Sequence, residues 1–139
     1  MENNRIVVDA YGAVFGRLAT FIAKEALKGK EVIVINAEKA VLSGEPNYHI
    51  AMMEKRRNFK NKADPDESPK WPKVPDRLFK RMLRGMLPWK KDRGRRAFKR
   101  IKVFIGNPGY ENAVKIEESV KNFAKKITIE QLCRRFGWQ

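Results

Sequence analysis

The 139-residue sequence predicts an α/β domain with a small, mostly parallel sheet, helices on both faces and a helical C-terminal appendage. Three observations carry this. Two β-branched runs near the N-terminus are separated by residues of helical periodicity. The second run is apolar at successive positions rather than alternating, as in strands buried on both faces. The last thirty residues return to helical spacing and contain a helix-start signal.

Ile6-Val7-Val8-Asp9 is the first strand and ends at a turn marked by Gly12 and Gly16. Leu18, Ala19, Ile22, Ala23, Ala26 and Leu27 then fall on one helical face, and Gly29 is placed to end that helix. Glu31-Val32-Ile33-Val34-Ile35-Asn36 follows as the second strand. This is a βαβ unit close to minimum length, whose crossover is expected to be right-handed. Ser43-Gly44-Glu45-Pro46 opens a helix that runs to about Arg57, with Tyr48, Ala51 and Met52 facing inward and Lys55, Arg56 and Arg57 at its negative end.

From Asn58 to Pro75 the chain holds four of its seven prolines, several charges and few apolar residues. This reads as a long irregular loop whose lysines order on nucleic acid. Asp76 stands at the start of a helix carrying Leu78, Phe79, Met82, Leu83 and Met86, closed by Gly85 and Pro88. Asp92 caps a shorter helix through Phe98, which leads into a strand from Ile101 to Ile105. In the tail, Ile116, Val120, Phe123 and Ile127 share one helical face, and Thr128-Ile129-Glu130-Gln131 matches a capping box that starts a second helix. Residues 1–109 are thus expected to form the α/β domain, and residues 110–139 a helical extension.

Charge separates scaffold from binding surface. The chain carries 31 Lys and Arg against 16 Asp and Glu, a net charge of +15. Met1 to Glu54 has 6 basic residues against 7 acidic, Lys55 to Lys102 has 19 against 5, and the remainder has 6 against 4. The excess is therefore concentrated in the central third, which calls for a polyanionic partner. Between Arg77 and Lys102 the only acid is Asp92, whereas a merely solvated face would mix both signs. Arginine offers a planar fork to phosphate oxygens, and Trp89, expected to be exposed, offers a ring on which an unpaired base can stack. No helix-turn-helix, zinc finger or heptad zipper is visible to address DNA, and irregular basic loops suit folded RNA.

Other chemistries find little support. The turn Gly12-Ala13-Val14-Phe15-Gly16-Arg17 has neither the spaced glycines of a dinucleotide site nor a P-loop Gly-Lys-Ser/Thr, so it reads as a plain βα turn at which Arg17 meets phosphate. His49 has no partner for a metal or a catalytic triad, and Glu117 and Glu118 are neighbours on a predicted helix surface pointing in different directions. Cys133 lies in an apolar setting that predicts a small buried residue, and a single cysteine excludes an internal disulfide. No signal peptide or membrane span is recognisable, so a cytoplasmic protein is expected. A nucleotide-dependent enzyme and a free-standing RNA chaperone are the alternatives.

Several blocks, in order, closely resemble one family. Val8-Asp9-Ala10 with Gly16-Arg17-Leu18-Ala19, Val34 to Ala40, and Ser43-Gly44 are followed by Arg84-Gly85-Met86-Leu87-Pro88, then Gly94-Arg95, Ala97-Phe98, Ile101-Lys102-Val103 and Gly106. Together they resemble the universal large-subunit ribosomal protein L-thirteen family, in its archaeal and eukaryotic branch. The resemblance implies a three-layer α/β/α domain around a four-stranded parallel sheet. It implies a structural ribosomal component without enzyme activity or cofactor, located in the cytoplasm within the ribosome. Its partners would be 23S-type rRNA and neighbouring large-subunit proteins, with a role in subunit assembly. Candidate RNA contacts are Arg17, Lys39, Arg56, Arg57, Lys60, Lys62, Arg84, Trp89, Lys90, Lys91, Arg93, Arg95, Arg96, Lys99 and Arg100.

Overall fold

The computed structural model describes residues 4–116 and 124–138. Strand β1 (Arg5–Asp9) leads through helix α1 (Phe15–Leu27) to strand β2 (Glu31–Ile35), which is the βαβ unit expected. Leu18, Ala19, Ile22, Ala23 and Ala26 of α1 are all buried, as their spacing requires. Gly29 ends the helix with a φ of +99°, a conformation that costs a residue without Cβ little.

Strand β2 is central and pairs in parallel with β1 on one side and β4 (Ile101–Val103) on the other. The register sets Ile6, Val32 and Ile101 in one row and Val8, Val34 and Val103 in a second row on the same face. That face joins one continuous core with the helices. Ile33 and Ile35 point to the opposite face and are also buried, at 0% and 3% exposure. The uninterrupted apolar run of β2 therefore has the two-sided burial it predicted.

The resemblance implied four parallel strands, and the structure differs. Among the described residues the parallel sheet has three strands, and a separate antiparallel pair is formed by β3 (Val41–Ser43) and β5 (Lys126–Thr128). Val114 adds a single parallel bridge to Val8 at the β1 edge. Pairing with β3 draws Ile127 into an extended conformation, so the helix predicted across Ile116, Val120, Phe123 and Ile127 does not reach Ile127. Val120 and Phe123, like Glu117 and Glu118, lie outside the described residues.

Helix α5 (Ile129–Arg135) begins with the predicted capping box, in which Thr128 Oγ1 accepts from the Gln131 amide and Gln131 Oε1 accepts from the Thr128 amide. Instead of forming an appendage, Ile127, Ile129, Leu132 and Cys133 enter the main core. Burial pushes the Cys133 thiol up to about 12, which keeps it protonated and inert.

Three details of the middle depart from the sequence reading. Helix α2 (Pro46–Asn58) buries Met53, while Tyr48 and Ala51 are exposed and Met52 is intermediate. Its inward face is the Ile50, Met53, Arg57 row, because the helix packs on β5 and α5, where Arg57 meets the Phe136 ring. The loop to Pro75 is not structureless. It contains a 3₁₀ turn, Pro65–Glu67, and a hydrogen bond from the Asn61 amide to Ser68 Oγ, while Trp71 packs against the core. One indole buries enough area to anchor a segment otherwise poor in apolar residues.

Helix α3 (Pro75–Arg84) buries Leu78, Phe79 and Leu83, and Phe79 meets Phe15 edge to face at 5.0 Å. Met86 lies beyond its end and is 41% exposed. Helix α4 (Asp92–Lys99) packs on α1, and β4 stops at Val103 rather than Ile105. No helix among the described residues is long and apolar enough to cross a membrane.

Candidate nucleic-acid interface

The candidate surface begins where the chain reverses between α3 and α4. The Pro88 carbonyl accepts from the Lys91 amide, and the Lys91 carbonyl accepts from the Gly94 amide, folding the turn back on α4. Contact there is so close that a Cβ on Gly94 would sit 2.1 Å from the Pro88 carbonyl oxygen, so only glycine fits. On α4, Gly94 and Ala97 are the buried residues. Lys90, Lys91, Arg93, Arg95, Arg96 and Lys99 are consequently all exposed on one turn and helix. Arg95 is held by Asp92 at 3.5 Å and donates Nε to the Trp89 carbonyl. Among the described residues none of the other five pairs with a carboxylate, which leaves their charge available to an external anion.

Helix α3 supplies a second row. Arg77, Lys80, Arg81 and Arg84 are spaced i, i+3, i+4 and i+7, opposite the buried Leu78, Phe79 and Leu83. Two tryptophans flank the row. The Arg81 guanidinium lies 4.5 Å from the centre of the Trp71 ring, with Arg56 at 4.9 Å from the same ring. Arg84 lies 4.1 Å from the Trp89 ring, and Lys80 lies 4.9 Å from Phe98. Burial lowers the pKa of Lys80, opposed by the charge of Asp76. Burial, then the charges of Arg84 and Arg56, lowers that of Arg81.

The remaining sequence candidates have different settings. Lys39 is tied to Glu130 at 2.7 Å, Arg57 donates to the Trp71 carbonyl at 2.8 Å, and Arg100 donates to the Ala26 carbonyl at the end of α1. These three join elements of the fold. Lys60 and Lys62 are exposed in the loop, and Arg17 is exposed at the start of α1, on a different part of the chain from the α3–α4 surface. Trp89 is half-buried rather than exposed, because Phe98 packs against it edge to face at 5.1 Å and Arg84 lies against its ring.

As site residues, Trp71 and Phe98 escaped the sequence reading, and Arg77, Lys80 and Arg81, which belong to the same acid-poor basic stretch, were not among its candidate contacts. The helical spacing of the four α3 cations and the one tryptophan in the polar loop were the signals that point to them. Elsewhere, the His49 ring donates Nε2–H to the Ser43 carbonyl at 2.7 Å, and among the described residues no group of three His, Cys, Asp or Glu side chains is placed to hold a metal ion.

Residues 3–109 match the family model described as ribosomal protein L13. The chain belongs to the ribosomal protein L13 family. Its similarity to members named large ribosomal subunit protein uL13 extends past the matched region. That of Methanocaldococcus jannaschii is 41% identical over 94% of this chain and 96% of its own length. Those of Archaeoglobus fulgidus and Aeropyrum pernix are 37% and 39% identical, covering 96% and 99% of this chain and 88% and 93% of theirs. The L13 family is a structural, non-enzymatic component of the ribosome, and this member is accordingly not an enzyme.

Proposed function

We propose that this protein is a structural constituent of the large ribosomal subunit that binds 23S-type rRNA through the α3–α4 surface and supports subunit assembly. The observation that carries the reading is the row of exposed cations from Lys90 to Lys99, five of which have no carboxylate partner among the described residues. An unpaired cationic surface on a rigid turn and helix is what phosphate neutralisation requires. Arg93, Arg95, Arg96 and Lys99 make the main phosphate contacts, with Lys60, Lys62 and Arg17 extending the footprint. Neighbouring large-subunit proteins are its other partners, and its place is the cytoplasm, within the ribosome. DNA, membranes and small-molecule substrates have no part in this reading.

The salt dependence of filter-binding affinity for large-subunit rRNA tests it. If about six phosphates are neutralised, the log–log slope is on the order of −4. Replacing Arg93, Arg95 and Arg96 together with glutamine flattens that slope by about two units. Replacing Lys24, Lys28 and Lys30 leaves it nearly unchanged. A greater loss from the α1 substitutions than from the α4 substitutions would place the interface on another face.

A further inference from the structure

Between α3 and the turn that follows it lies an open groove of about 300 Å³, lined by Arg77, Lys80, Arg81, Arg84, Trp89 and Phe98 with Pro72 at its edge. Its composition is unusual for a surface that only neutralises phosphate. Four cations surround an aromatic floor, and among the described residues none of the four forms an ion pair. Arg77, Lys80, Arg81 and Arg84 all line it, so the groove holds positive charge that no carboxylate among the described residues balances. A strand of phosphates alone has no use for the aromatic floor.

The stacking geometry is more specific. The Arg84 guanidinium lies 4.1 Å from the Trp89 ring centre, and Phe98 meets Trp89 edge to face at 5.1 Å. An arginine plane held against a tryptophan offers its outer side to a second flat group, and nucleobases are bound in this way by guanidinium planes. Arg77 and Arg81, one turn apart on the same face of α3, line the same groove and supply the charge that the phosphates flanking such a base need.

We propose that this groove receives a single unpaired, extruded nucleotide of an RNA strand, with the base stacked on the Arg84–Trp89 pair and its phosphates held by Arg77 and Arg81. This rests on the RNA-binding reading and deepens it, since it assigns recognition of an unstacked base to α3 and leaves helix-backbone contacts to α4. Phe98 and Lys80, in contact at 4.9 Å, line the same groove.

The test uses the full chain and three probes of ten units each: a single-stranded uridine-rich RNA, an abasic ribose-phosphate strand of the same length, and a blunt RNA duplex. Fluorescence anisotropy at fixed salt should show the base-bearing strand binding about tenfold more tightly than the abasic strand. Arg84→Lys keeps the charge and removes the plane, so it should abolish most of this preference while leaving the salt slope unaltered. Arg77→Gln with Arg81→Gln should weaken both single strands. Equal binding of base-bearing and abasic strands, or an intact preference in Arg84→Lys, would overturn the proposal. So would displacement of the strand by millimolar AMP, which would make the groove a free-nucleotide site. None of these outcomes bears on the α4 triple substitution, whose unchanged salt slope is what would defeat the wider RNA-binding reading.

Discussion

Gly94 shows how a single residue can control a surface without touching a ligand. Its missing side chain lets the Pro88 carbonyl approach α4, and that approach sets the Lys90 and Lys91 turn beside Arg93, Arg95 and Arg96. A methyl group there collides with backbone rather than with a flexible side chain, so the turn has to move. Gly94→Ala is expected to destabilise the fold by about 2–3 kcal/mol, as overpacking of a close contact does. Urea unfolding measures it, and an unaltered midpoint would mean that the turn relaxes freely. At the same scale Arg100 is a cation of the basic band that serves the fold, since its guanidinium satisfies the Ala26 carbonyl at the end of α1. Among the α3–α4 cations, charge alone does not distinguish such a residue from an RNA contact.

Among the elements, α5 has the least independence. Its seven residues are too few for a stable isolated helix, and its position depends on docking through Ile129, Leu132 and Cys133 and on Glu130. Glu130 accepts from Lys39 at 2.7 Å and lies 2.7 Å from Arg134. The Lys39 hydrogen bond is the main cause holding the Glu130 carboxyl below its ordinary 4.5, against opposing desolvation and with the charge of Arg134 assisting. A carboxyl whose pKa is depressed by folding stabilises the native state above its unfolded pKa, and that contribution disappears as pH falls through the folded value. Glu130→Gln should therefore cost about 1 kcal/mol at pH 7, within the range of partly exposed pairs. The gap from the unsubstituted protein should shrink as pH falls below 4.5 and through the lower folded value. Chemical unfolding at pH 7 and pH 3 gives the comparison, and a gap that widens in acid would reverse the assigned sign.

For the whole molecule, the main fact is the segregation of a nearly neutral βαβ scaffold from a central band of positive charge. A protein built this way associates strongly with polyanions whether it is a fixed ribosomal constituent or a mobile RNA chaperone, and family membership favours the first. Sedimentation separates the two. In a sucrose gradient of cell extract after a moderate salt wash, this chain should travel with large subunits and whole ribosomes. A predominantly free pool at the top of the gradient would contradict a structural role.

The βαβ order, the Gly29 helix stop, the Thr128 capping box and the basic band of residues 55–102 were all determined by the sequence itself. Each is encoded by residues within a few positions of one another, through periodicity, caps or composition. Tertiary structure decided the rest. Lys39 looks like any other basic residue until Glu130, 91 positions away, takes its charge, and Arg100 until the Ala26 carbonyl, 74 positions away, accepts from it. Trp71 appears as one aromatic in a polar loop until Arg56 and Arg81 stack on it from two helices. Ile127 keeps a helical spacing with its neighbours until β3 offers a pairing edge. In each case the deciding partner is remote in sequence, and only folding brings it within the few ångströms over which hydrogen bonds, ion pairs and ring contacts act.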